Sequence, residues 1–365
     1  MRRFVFNPQH DLCLADGGVS FIPPASVVEF AQRCSWIERF MERPSRGEDK
    51  VPSRELEEIV PWGWNRTLRE QMLKEGYPQE LMPTDAQLDF IREFSRREMA
   101  VELLDFVHKG LQAGEVKNLN VIPSDYRVTA RSMEEIEEFL HSRGRVVLKA
   151  PLSGSGKGIR FCTGELMETD RGWCRRVLQR QGAVIVEERR EVVQEFAMLF
   201  EVGESVRFVG YSLFYAANGA YKGNLLASNE YILQKLGDMF PVEELQGVRA
   251  AVERFLEGKL LGKYKGFVGV DQFLCKGNGA EGNGAEGKGF EGKGFEGKGF
   301  EGNGAEGNAA EFQGEKYLLN PAVEINLRMT MGLIARNIYD FYRGELGLED
   351  ATHCFEPEKG IFKCS

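Results

Sequence analysis

The sequence predicts a mixed α+β / α/β protein, and three observations carry that prediction. In the middle of the chain a helix, a strand, a glycine-rich loop, a strand, a helix and a strand follow one another, the order of a small α+β unit with its loop at one edge. Further on, the apolar runs 267–275 and 316–328 read as one strand hairpin once the block between them is set aside. Before both, strand-like and helix-like segments alternate, as in an α/β unit.

Taken in order, residues 3–6 form a first strand, ended by the loop Asn7-Pro8-Gln9-His10-Asp11. Pro23-Pro24-Ala25-Ser26 opens a helix running to about Met41, because proline is pre-set for a first helical turn. Charged residues 44–54 make an exposed connection, and Ile59-Val60-Pro61-Trp62-Gly63-Trp64 a short strand. Asn65 caps a helix that stops near Gly76, and Thr84-Asp85 starts another with a break near Ser95. Ser132-Met133-Glu134-Glu135 is a capping-box pattern for a helix ending near Gly144. A helix over 171–180 and a strand over 183–187 complete the middle unit. The division is an α/β segment 1–95, a small lobe 96–188 and a large lobe 189–365.

Residues 277–311 are seven glycine-rich pentads, three of them Gly-Lys-Gly-Phe-Glu. They bring too little apolar surface to offset ordering, so a disordered surface insertion is expected. The formal charge of −9 disfavours a general nucleic-acid binder, which needs a basic face. Seven cysteines form no C-x-x-C pair, which points to reduced thiols in a cytoplasmic protein. No apolar run is long enough for a membrane span, and the first residues lack a signal-peptide core. His10 reads as a turn residue, a base or substrate ligand on one view and plain surface on the other. Trp62 and Trp64 read as core or lobe-interface residues.

The chemistry concentrates in two places. Val146-Val147-Leu148-Lys149 is an apolar strand tipped by a lysine, followed by Ala150-Pro151-Leu152 and then Ser153, Gly154, Ser155, Gly156, Lys157 and Gly158. Small residues let backbone N–H groups approach an anion, and the lysines add charge; the alternative is a flexible hairpin turn. The spacing fits neither the P-loop nor the G-x-G-x-x-G fingerprint, which leaves a strand–loop–strand clamp for a polyphosphate. In the predicted hairpin, Asp271 lies in one strand, and Glu324, Asn326 and Arg328 alternate onto one face of the other. Two carboxylates and an amide oxygen suit Mg²⁺, which takes few protein ligands plus phosphate oxygens.

With these residues the chain resembles the ATP-grasp superfamily over about residues 95–345, preceded by an α/β pre-ATP-grasp-like segment. The resemblance implies two α+β lobes with ATP between them and Mg²⁺ held by Asp271, Glu324 and Asn326. It implies that Lys149 contacts the phosphates, that 153–158 cover them, and that Arg328 lies near the transferred phosphate. Glu187 and Glu188 fall on the strand that meets adenine, Glu195 at a ribose-binding position, and Lys222 at a further phosphate contact. The first phosphate lysine of many members is absent; Arg96 or Arg97 stands in that region. The implied activity joins a small-molecule or peptide carboxylate to an amine or thiol through an acyl phosphate, with neither nucleic acid nor membrane as partner. A small-molecule kinase and a non-catalytic ATP-binding module are the alternatives.

Overall fold

The structure, a computed structural model, describes residues 2–43, 56–112, 120–154, 158–217, 220–277 and 317–364. Ser155, Gly156, Lys157 and the pentads beyond Gly277 lie outside these residues, as do positions 44–54.

Thirteen strands form three sheets among the described residues. β1 (Arg2–Val5) and β2 (Glu58–Pro61) make a parallel pair. β3 (Arg127–Ala130), β4 (Arg145–Lys149), β5 (Ile159–Thr163) and β6 (Val184–Glu188) make an antiparallel sheet of order β3-β6-β4-β5. The largest sheet holds β7 (Val192–Val202), β8 (Val206–Ala217), β9 (Ala220–Leu226), β10 (Gly266–Lys276), β11 (Tyr317–Asn326), β12 (His353–Glu356) and β13 (Gly360–Lys363). Its order is β11-β10-β7-β8-β9-β12-β13. The predicted hairpin is present as the antiparallel β10–β11 pair.

Alternation along β7 explains how the large sheet is covered. Phe196, Met198, Phe200 and Val202 point into a core shared with helices Glu98–Gln112, Asn229–Gly237 and Val242–Leu260. Ala197 and Leu199 point the other way, against Phe6, Ile37, Phe40 and Trp62 and helix Met331–Asn337. The N-terminal segment therefore lies on one face of the large sheet. Trp62 is buried edge-on to Phe6, and Trp64 packs half-buried at the other core. In the small sheet, Val146, Leu148, Val184 and Val186 bury against Ile136, Leu140, Trp173 and Val177 of two helices, Met133–Arg143 and Glu168–Gln181. The opposite face carries Val147, Lys149, Ile185 and Glu187, in register Val147↔Glu187 and Lys149↔Ile185.

Several predicted caps are present. Asn65 accepts from Leu68 N, Thr84 makes a reciprocal box with Gln87, and Ser132 accepts from Glu135 N. The Glu135 carboxylate reaches one residue further back than a capping box requires, to Arg131 N at 2.7 Å. Three expectations are corrected. The helix opening at Ala25 ends at Arg33 and gives way to a 3₁₀ turn, Ser35–Phe40. There the Cys34 amide is shared between the Phe30 and Gln32 carbonyls, and Ser35 Oγ bonds Gln32 O. Not all cysteines are thiols, because the β12–β13 hairpin brings the Cα atoms of Cys354 and Cys364 to 5.4 Å, joined as a disulfide. His10 is not on the surface; it begins helix His10–Asp16 and is 1% exposed.

Leu104 is fully buried where helix Glu98–Gln112 meets the large sheet. Leu104→Ala is expected to lower the unfolding free energy by about 2–5 kcal/mol, read from the urea midpoint.

Candidate active site

The face of the small sheet that carries Lys149 and Glu187 turns toward the β10–β11 edge of the large sheet. Lys149 Nζ donates to Glu187 Oε2 at 2.6 Å, and Arg127 Nη1 lies 3.4 Å from Glu187 Oε1. Arg127 also donates to Asn320 Oδ1 at 3.2 Å and to the Ala322 carbonyl at 2.6 Å, so the two sheets are tied through one guanidinium. All of these side chains are buried. Burial by itself would push the Glu187 carboxyl up, but Lys149 and Arg127 more than offset it and hold the group below the usual carboxylate range.

Arg97 makes the second tie. Its Nη1 donates to the Ala150 carbonyl at 2.5 Å and to Ser153 Oγ at 2.9 Å, and its Nη2 lies 3.1 Å from Glu324 Oε1. Arg96 turns away to Glu98 and the Gln181 carbonyl, so of the two arginines it is Arg97 that enters the cleft. Around the loop, Gly158 lies where a Cβ would fall 2.2 Å from Ser153 Cβ. Gly154 lies where one would fall 2.9 Å from Leu12. Close packing accounts for both glycines, and the Gly158 carbonyl accepts from Ala150 N to close the turn.

Asp271 and Glu324 are register partners on β10 and β11, and Asn326 Nδ2 donates to Asp271 Oδ2 at 3.0 Å. Burial, together with the facing Glu324, pushes the Asp271 carboxyl up to about 7. Glu195, on the adjacent β7, is also raised by burial, with Lys149 opposing. Among the described residues no group of three or more His, Cys, Asp and Glu side chains is placed to hold a metal. Asp271, Glu324 and Asn326 form a smaller hard-oxygen set, which fits a Mg²⁺ ion that completes its shell with phosphate oxygens and water. Two facing carboxylates in a buried site favour a cation there for the same reason that they raise the Asp271 pKa.

Arg328 follows β11 and makes a two-pronged pair with Asp11, Nε to Oδ1 and Nη2 to Oδ2, each 2.8 Å. Nothing in the sequence pairs the loop containing Asp11 with Arg328. Beside Asp11, His10 packs on Gly63, where a Cβ would fall 2.6 Å from Nδ1. Desolvation lowers the His10 pKa to about 4, with Asp11 opposing.

Direct contacts thus link Lys149 to Glu187, Arg97 to Ser153 and Glu324, and Asp271 to Asn326, and Ser153, Glu324, Asn326 and Arg328 line one small cavity. Two predicted residues stand apart. Glu188 alternates to the other face of β6 and pairs with Arg190 at 2.7 Å. Lys222 is exposed on β9, three strands from β10, a separation of about 14 Å at the usual strand spacing.

No family model matches this sequence, and no curated protein matches it. Among solved structures, the ADP complex of N5-carboxyaminoimidazole synthetase from Staphylococcus aureus is similar at 12% identity and TM-score 0.40, over 74% of this chain and 66% of that one. This chain therefore spans just under two thirds of that synthetase. D-alanyl-alanine synthetase A from Vibrio cholerae is similar at 11% identity and TM-score 0.40, over 75% of this chain and 84% of that one. A β-γ-ATP complex of biotin carboxylase from Campylobacter jejuni is similar at 12% identity and TM-score 0.39, over 74% and 56%.

Glu187→Gln strips the buried Lys149 and Arg127 of their counter-charge and is expected to cost about 3–5 kcal/mol of stability, measured by denaturant unfolding. His10 gives a pH signature. Its folded pKa of about 4 lies below the unfolded value, so the unfolded chain binds the extra proton and stability is lost as pH falls through 6.5 toward 4. Between pH 7 and pH 5 this group alone should remove about 2 kcal/mol, a loss absent from His10→Gln and read as the difference between the two unfolding curves.

Proposed function

We propose that the chain is an ATP- and Mg²⁺-dependent ligase that activates a carboxylate as an acyl phosphate for attack by an amine or thiol, releasing ADP and phosphate. The observation that supports this reading is the set of contacts where the two antiparallel sheets meet: Lys149 with Glu187, Arg97 with Glu324, and Asp271 opposite Glu324 with Arg328 acting on it. Cations and a divalent-metal site are what a triphosphate needs, and no nucleophilic side chain is required.

Asp271, Glu324 and Asn326 would hold Mg²⁺, which when bound neutralises charge on the terminal phosphates. Lys149 keeps N–H donors beyond the one given to Glu187 and would turn them to the nucleotide. Arg97 stands where the family's first phosphate lysine is missing and fixes the loop through Ser153 and Ala150. Arg328, oriented by Asp11, would place its remaining N–H groups against the transferring phosphoryl group. Glu195, close enough for Lys149 to act on its carboxyl, would meet the ribose. The proposed units are 1–95, 96–188 and 189–365.

The test is calorimetric binding of ATP and ADP to the full chain with and without Mg²⁺. Asp271→Asn combined with Glu324→Gln is expected to abolish the metal dependence, and Lys149→Met to weaken nucleotide binding by about tenfold or more. Unchanged affinity and unchanged metal dependence in the double variant would refute the site. Phosphate release that requires an added amine or thiol supports the ligase; transfer of phosphate to a hydroxyl would make the protein a kinase.

A further inference from the structure

A second cavity lies where helices Asp85–Phe94, Glu98–Gln112 and Val242–Leu260 approach the residue that follows β3. It shares no wall residue with the small cavity at Arg328. Its volume is about 480 Å³, inside the range of about 300–1,000 Å³ that small-molecule sites occupy. Phe90, Phe94 and Met99 supply the apolar part of the wall. The two rings stack with centroids 5.6 Å apart, Phe94 buried behind and Phe90 half-buried in front.

The charges around this wall do not cancel. Arg96 is met by Glu98 at 2.6 Å and Lys259 by Glu102, and Glu93 stands within 4.0 Å of both Arg92 and Arg96. Arg131 and Lys263 also line the cavity, both exposed, and neither has an ion pair among the described residues. Lys263 Nζ lies instead over the Phe90 ring, 5.8 Å from its centroid. On a chain of formal charge −9, two unbalanced cations beside a phenyl face favour an anion with a flat apolar body.

We propose that this cavity binds a small aromatic anion, its ring against Phe90 and Met99 and its acidic group paired with Arg131 and Lys263. An uncharged aromatic would leave both cations without a partner. Inorganic phosphate would leave the phenyl and thioether surface in water. A molecule with both parts uses the whole wall. Arg131 follows β3 of the small sheet and Lys263 precedes β10 of the large one, so the occupant bridges segments that carry different sheets. The site stands apart from the nucleotide reading and does not depend on it.

The experiment is calorimetric titration of the full chain with cinnamate, cinnamamide and inorganic phosphate, each also followed by thermal unfolding. Cinnamate is expected to bind saturably and to raise the thermal midpoint, since it binds the folded chain alone. Cinnamamide and phosphate should bind about tenfold more weakly or worse. Arg131→Gln combined with Lys263→Gln should raise the cinnamate Kd about tenfold or more, the effect of two lost hydrogen bonds to a charged group. The exposed positions of both side chains leave the midpoint without ligand unchanged, and the comparison of the three probes uses the unaltered chain. Any of four results would overturn the proposal: no saturable binding of cinnamate, cinnamamide binding as tightly, phosphate binding as tightly, or a cinnamate Kd indifferent to the double substitution.

Discussion

Two arginines hold the cleft together. Arg127 reaches from the small sheet to Asn320 and the Ala322 carbonyl on β11, and Arg97 joins the loop after β4 to Glu324 on the same strand. Both are buried, and a buried guanidinium is tolerated only where its donors are met by well-placed oxygens. The positions of Lys149, Glu187, Ser153 and Glu324 follow from meeting that demand. A cleft built this way has its charged groups oriented before any ligand arrives, which limits the reorganisation that binding requires.

The balance of charge is informative. Lys149, Arg97, Arg127 and Arg328 face Glu187, Glu324 and Asp11 in direct pairs, whereas Asp271 and Glu195 carry no ion pair among the described residues. Burial raises both of these carboxyls, and a raised pKa in a cleft marks a group set apart from purely structural pairing. Asp271 gains most from a cation, because Glu324 stands opposite and adds repulsion to desolvation. The arrangement stores an unfavourable term that a divalent ion with phosphate would relieve.

Much of this was legible locally. The caps at Asn65, Thr84 and Ser132 depend on residues three positions apart, and the facing of Glu324 and Asn326 depends on the two-residue period of a strand. The β10–β11 pairing was readable because apolar runs flank the pentads on both sides. What was not legible is what joins distant parts of the chain. Asp11 and Arg328 are 317 residues apart, and neither reveals the other in sequence. Arg96 and Arg97 differ only in the side of the chain from which they leave, so the choice between them waits on packing. Glu188 parts from the Lys149 face because neighbours on a strand point opposite ways, and His10 was misread because a loop-like context hid the helix and the Gly63 surface that bury it. Cys354 and Cys364 meet only once β12 and β13 fold back on each other.

The β10–β11 hairpin has one more consequence. The ladder ends at Lys276 opposite Tyr317, five residues along β10 from Asp271, and a register shift lies between Asp271 and Phe273, beside Pro321 on β11. A bulge of this kind pins pairing, since strands cannot slide past it without losing their hydrogen bonds. Copies of the pentad gained or lost between those two ends would therefore leave the spacing of the acidic pair untouched.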